Sequence, residues 1–184
     1  MDRPSTPGGD PDAEERLYAG LGPVRGFHFG GRGGQRIERR TRFFDHEVLD
    51  ALTAGVPQIV LVGAGYDGRA LRFRHPDVHY FEVDHPATQA DKRRRVEQLG
   101  VPLDGLTFVE VDLMAARIGP ALAAAGHRAD EASLFVCEGL LLYLTPEVVV
   151  QLLSDLRARA APGSRLALST RERLPGPGGP PTAR

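Results

Sequence analysis

Ile59-Val60-Leu61-Val62 is an unbroken apolar run that stops at Gly63-Ala64-Gly65-Tyr66-Asp67-Gly68. A run this short and this apolar suits a strand buried on both faces of a parallel sheet, where helices cover each side. Glycines in G-x-G-x-x-G spacing let the chain turn sharply from strand into helix and leave the backbone open to a closely approaching ligand. The stretch therefore commits the chain to strand-turn-helix, the opening unit of an alternating α/β sheet.

The rest of the chain repeats that alternation. Residues 79–84, 106–111, 133–137 and 165–169 read as further strands, and 37–54, 69–73, 86–99 and 118–125 read as helices. Thr145 caps another helix with Pro146 in its first turn and Pro162-Gly163 as its stop. A short helix is expected within 12–21. Such a pattern predicts a right-handed, doubly wound, mostly parallel sheet whose ligand crevice lies beyond the carboxyl ends of the strands.

At 184 residues and net charge −1, the chain is long enough for one domain with a proper core and short for two. The domain is expected over 13–172, with 13–36 a flexible glycine-rich part. Residues 1–12 and 173–184, rich in Pro and Gly, are expected as disordered tails. No apolar run approaches the length of a membrane span, and the N-terminus lacks the basic start and apolar core of a signal peptide. The expectation is a cytoplasmic protein with no membrane partner. Lys92-Arg93-Arg94-Arg95 is short and followed by Glu97, so it reads as a solvated helix face, not a nucleic-acid site. Cys137, the sole cysteine, lies in an apolar stretch, and the six histidines never pair at zinc-motif spacing, so no metal is assigned.

Carboxylates gather where the strands end: Asp67 after the first, Glu82 and Asp84 at the second, Asp112 after the third, Glu138 after the fourth. Glu82 and Asp84, about 20 residues past the first glycine, suit vicinal ribose hydroxyls, a contact that NAD and S-adenosylmethionine share. A dinucleotide also places its pyrophosphate over the helix N-terminus, where Asp67 and Glu138 are unwelcome; a cationic sulfonium tolerates them. Asp112-Leu113 suits an adenine amino group and ring face. Arg39-Arg40-Thr41-Arg42, just upstream, either supplies a cation for a ligand carboxylate or lies on a helix surface.

On these residues the sequence resembles the leucine carboxyl methyltransferase family, in particular its bacterial branch of S-adenosylmethionine-dependent enzymes, some of which are like polyketide O-methyltransferases. The similarities run in order: Asp10-Pro11-Asp12-Ala13 with Leu17, "RTRFFD" at 40–45, "VGAGYDGRALRF" at 62–73, "FEVDHPATQADK" at 81–92, "VDL" at 111–113 and "CEGLLLYLTPE" at 137–147.

The resemblance implies a Rossmann-like class I methyltransferase fold and S-adenosyl-L-methionine as cofactor. Arg40, or failing that Arg42, would hold the methionine carboxylate. Gly63 and Gly65 would admit the cofactor, Asp84 or Glu82 would bind the ribose, Asp112 and Leu113 would frame the adenine, and Glu138 would face the amino group. Tyr143 would lie near the transferring methyl and the acceptor, a small-molecule carboxylate, phenol or other hydroxyl. Departures are Gly68 where the branch often has Thr or Ser, Cys137 where Trp is common, and a sheet expected to lack the family's terminal antiparallel strands. Two other readings stand beside an active O-methyltransferase: a cofactor-binding module without turnover, and an NAD-dependent oxidoreductase. Oligomeric state is left open.

Overall fold

The computed structural model describes residues 4–19 and 32–170. Five strands, β1 (Gln58–Val62), β2 (His79–Asp84), β3 (Leu106–Glu110), β4 (Ser133–Cys137) and β5 (Arg165–Leu168), pair in the order β3-β2-β1-β4-β5. Every pairing among them is parallel. Val60 sits opposite Phe81 on one side and Phe135 on the other, so β1 is central. The helices are α1 (Ala13–Tyr18), α2 (Arg32–Thr53), α3 (Arg69–Arg72), α4 (Pro86–Gln98), α5 (Ile118–Ala124) and α6 (Pro146–Ala158). None of the described helices is long and apolar enough to cross a membrane.

Side chains alternate across a strand, and in β1 both sets are apolar. Ile59 and Leu61 pack with Phe44, Val48 and Ala51 of α2 and with Phe73. Val60 and Val62 face the opposite way, onto Ile118 and Leu122 of α5 and Leu152 and Leu156 of α6. Leu17 of α1 closes a smaller cluster with Leu71 and Val96. Cys137 is fully buried in the α5–α6 layer, and burial pushes its thiol up to about 12.

Two expectations about the N-terminal part need correction. Residues 4–12, expected within a disordered tail, are bonded to the core: the Thr6 and Asp10 amides donate to the Arg72 and Leu71 carbonyls, each at 3.0 Å. The reason is α3, whose four residues leave its last carbonyls with no partner inside the helix, so the incoming segment supplies donors. Composition, which led to the expectation, carries no such information. The flexible part expected over 13–36 is helical at both ends, since α1 occupies Ala13–Tyr18 and α2 begins at Arg32 and runs through Gly33 and Gly34. Each glycine costs a helix about 1 kcal/mol, which an established helix absorbs because propagation is easier than nucleation. Residues 20–31 and the tail expected over 173–184 lie outside the described residues.

At the opposite end of the sheet from the glycine turn, His127 is buried with Nε2 at 3.0 Å from Ser133 Oγ, and Arg159 donates to its Nδ1. Burial and the Arg159 charge push His127 down to about 4. The folded state then refuses a proton that the unfolded chain accepts below about pH 6.5, so this contribution is complete above that value and is lost as pH falls toward 4. Urea melts of the wild type and His127→Gln over that window should show the wild type losing ~2 kcal/mol relative to the variant. A pH-independent difference would remove His127 from the acid response.

Candidate functional site

Strand order reverses between β1 and β4, and in an open α/β sheet the crevice at such a point lies beyond the strand carboxyl ends. Gly63 leaves β1 with φ of +69° and Gly65 continues with φ of +47°, a region costly for side-chain-bearing residues. A Cβ on Gly63 would also lie 2.9 Å from Leu140 Cδ1. The turn clings to β2: the Gly63 and Ala64 amides donate to the Val83 carbonyl at 2.8 and 3.1 Å, and the Gly65 amide donates to Asp84 Oδ2 at 2.7 Å. Asp84 Oδ1 accepts from the His85 amide at 2.7 Å.

Across the crevice, just past β4, Glu138 is gripped from two sides. Arg40 Nε donates to its Oε1 and Arg69 Nη1 to its Oε2, each at 2.8 Å. Arg40 stays largely exposed, whereas Arg69 is buried. Arg42, two residues along α2 and so near the opposite side of the helix, pairs with Glu38 at 2.7 Å instead. The structure thus brings Arg40, Gly63, Gly65, Asp84 and Glu138 together at the β1–β4 end.

Asp112 and Leu113 follow β3. Asp112 Oδ1 accepts from the Met114 amide at 2.9 Å, and half-buried Leu113 packs on the α5–α6 layer. Tyr143 ends a one-turn 3-10 helix, Leu141–Tyr143, and is 78% exposed while Leu140, Leu141 and Leu144 pack inward.

Glu82 does not reach the crevice. It shares a face of β2 with Asp84 but lies two residues back, roughly 6.6 Å deeper along the strand, and is fully buried against Lys92 at 2.5 Å. Burial pushes its carboxyl up to about 7 against the pull of Lys92. Of the two ribose candidates, Asp84 alone is partly exposed at the strand end.

Four residues that sequence reasoning missed, Glu14, Asp45, Arg69 and Arg72, form a charged spine with Asp67 beneath the crevice. Arg69 Nε donates to Asp45 Oδ1 at 2.7 Å and Arg69 Nη1 to Asp67 Oδ2 at 2.6 Å. Arg72, fully buried, donates to Asp45 Oδ1 at 2.9 Å and to Glu14 Oε1 at 3.0 Å. Burial works against the Asp67 carboxylate, but Arg69 and Lys92 outweigh it and hold Asp67 below its ordinary range. Lys92, read as part of a solvated face, is buried as well; α4 turns Lys92 and Val96 inward one helical turn apart and leaves Arg93 and Arg94 outside. The available signal was Arg69-Ala70-Leu71-Arg72 directly after the glycine turn, together with the lone acid of Phe43-Phe44-Asp45.

The model of the leucine carboxyl methyltransferase family matches residues 32–157. A relative from Mycobacterium sp. (strain JLS), bearing the name of an S-adenosyl-L-methionine-dependent methyltransferase, is 42% identical over 131 residues, covering 70% of this chain and 42% of its own length. A similarly named relative from Parafrankia sp. (strain EAN1pec) is 39% identical over 147 residues with the same coverage. The chain thus spans less than half the length of these relatives. A crystal structure of a methyltransferase from Thermobifida fusca YX has a TM-score of 0.51 at 19% identity, covering 69% of this chain and 50% of that one, and it bears out the fold. With its glycine turn, its crevice acids and four of its five parallel strands inside the matched region, the chain belongs to the leucine carboxyl methyltransferase family.

Proposed function

We propose that the chain binds S-adenosyl-L-methionine and passes its methyl group to a carboxylate or hydroxyl oxygen of a small molecule. The observation that carries this reading is the Arg40–Glu138 pair beside the Gly63–Gly65 turn. A cation and an anion side by side, both reachable from the crevice, complement the carboxylate and ammonium of an amino-acid zwitterion. Asp84 spends one lone pair on each backbone amide and keeps others for vicinal hydroxyls. Asp112 and Leu113 supply an acceptor and an apolar surface for the adenine.

The structure offers a specific reason to prefer this cofactor to a dinucleotide. A pyrophosphate needs free amides at the N-terminus of the helix after β1, but the Arg69 amide already donates to Asp67 Oδ1 at 2.8 Å. The chain's own carboxylate fills the place of the anion. The cofactor supplies a methyl already activated by positive sulfur. The protein's work is then to align the acceptor oxygen with it and keep water out.

Calorimetric titration of the full chain with S-adenosylmethionine, S-adenosylhomocysteine and NAD tests the reading. Dissociation constants of about 1–10 μM are expected for the first two, a range worth roughly 7–8 kcal/mol of binding, with marked weakening in Asp112→Ala. Binding of NAD alone would overturn it in favour of hydride transfer.

Tyr143 is the residue expected beside the acceptor. Its exposure makes it dispensable for folding, so Tyr143→Phe should melt with the wild type. With a carboxylate or phenol found by screening, kcat/KM should fall about tenfold, the cost of one hydrogen bond. Unchanged kinetics would remove the hydroxyl from the reaction.

A further inference from the structure

We infer that Lys92 is a positioning residue for the cofactor loop: its ammonium, seated against Glu82, grips the Asp67 carbonyl and so fixes the turn 63–68. The inference rests on the proposed function for what the loop holds, and on the following geometry for the grip itself.

Lys92 is the only lysine of the chain, and both it and Glu82 are fully buried. Its Nζ lies 2.6 Å from the Asp67 carbonyl oxygen and 2.5 Å from Glu82 Oε2. One ammonium therefore joins α4, β2 and the glycine turn, which an apolar side chain in the same space cannot do. The preceding residue does a related job, since Asp91 Oδ2 accepts from Tyr66 Oη at 2.5 Å. Adjacent residues of α4 thus hold adjacent residues of the turn. Asp67 is fixed from its other side as well, because its carboxylate is taken by the Arg69 amide and guanidinium.

Stability alone does not call for this pair. Glu82 Oε1 and the neighbouring Gln89 Oε1 are buried with no hydrogen-bond donor among the described residues, so the polar cluster is incompletely satisfied. A buried ion pair of this kind is commonly matched or bettered in stability by apolar residues of like volume. What an apolar pair cannot replace is the bond to the Asp67 carbonyl. That bond lies one residue beyond Tyr66 and two beyond Gly65, whose amide is the contact to Asp84.

The test uses Lys92→Met and the double variant Glu82→Met/Lys92→Met in the full chain. The single variant strands Glu82 and should melt below the wild type; the double should melt at or above it. In both, amide hydrogen exchange across 63–68 in the unliganded chain should accelerate, and the dissociation constant of S-adenosylhomocysteine should rise about tenfold. A structural pair alone would give a double variant with wild-type exchange and wild-type affinity, which would overturn the inference. Faster loop exchange in a chain whose wild type has no affinity for S-adenosylhomocysteine would instead sink the functional reading and leave the tether standing.

Discussion

Arg72→Met should cost ~3–5 kcal/mol of unfolding free energy, the range for removing one partner of a buried ion pair. The guanidinium is completely buried and donates to Asp45, to Glu14 and to the Pro4 carbonyl, so its loss leaves Asp45 with Arg69 alone and releases the segment that closes α3. The ring of Phe73 also loses the guanidinium stacked 4.4 Å from its centroid. Urea melts read the change directly, and the exposed pair Arg42–Glu38 supplies the control. Arg42→Met should move stability by no more than about 0.5 kcal/mol, as expected of an i,i+4 surface bridge. Equal effects of the two substitutions would show that the buried spine adds nothing beyond surface charge.

Asp84→Ala should weaken S-adenosylhomocysteine binding about 100-fold, equivalent to ~2.7 kcal/mol, with a smaller effect on folding. Two losses combine. The Gly65 and His85 amides lose their shared acceptor, which loosens the turn, and the carboxylate proposed for the ribose hydroxyls disappears. Asp84→Asn separates them, since one amide oxygen serves one of the two backbone donors, and its binding should fall between wild type and alanine. Glu82 gives the contrast from the same face of the same strand: its substitution acts through Lys92 and the loop, not through a ligand hydroxyl. Wild-type affinity in Asp84→Ala would move the ribose elsewhere.

The strands were legible because a buried parallel sheet demands continuous apolar runs, and each expected strand lies within one residue of its observed place. The crevice followed from topology, because strand ends carry the loops, and Arg40, Gly63, Gly65, Asp84 and Glu138 are all found there. Depth was not legible. Glu82 and Asp84 look equivalent on paper because side-chain parity repeats every two residues, and only the position of α4 decides that one is covered. Lys92 stood in a run of four cations, and no local pattern marks which of them a helix turns inward. Residues 4–12 were misjudged because their bonds go to α3, some 60 residues away. Long-range partners of a backbone amide leave no trace in local composition.

Glu14, Arg72, Asp45, Arg69, Glu138 and Arg40 alternate in sign from α1 to the mouth of the crevice. This series makes the N-terminal segment part of the same electrostatic unit as the residues proposed to face the cofactor. Exchanging that segment with a relative's is therefore not a modular operation. A donor sequence lacking a carboxylate at position 14 would leave Arg72 half-compensated and shift the imbalance along the series toward Glu138. Chimeras should be tolerated in proportion to how well they preserve the charge at that one remote position, before any change in pocket shape is considered.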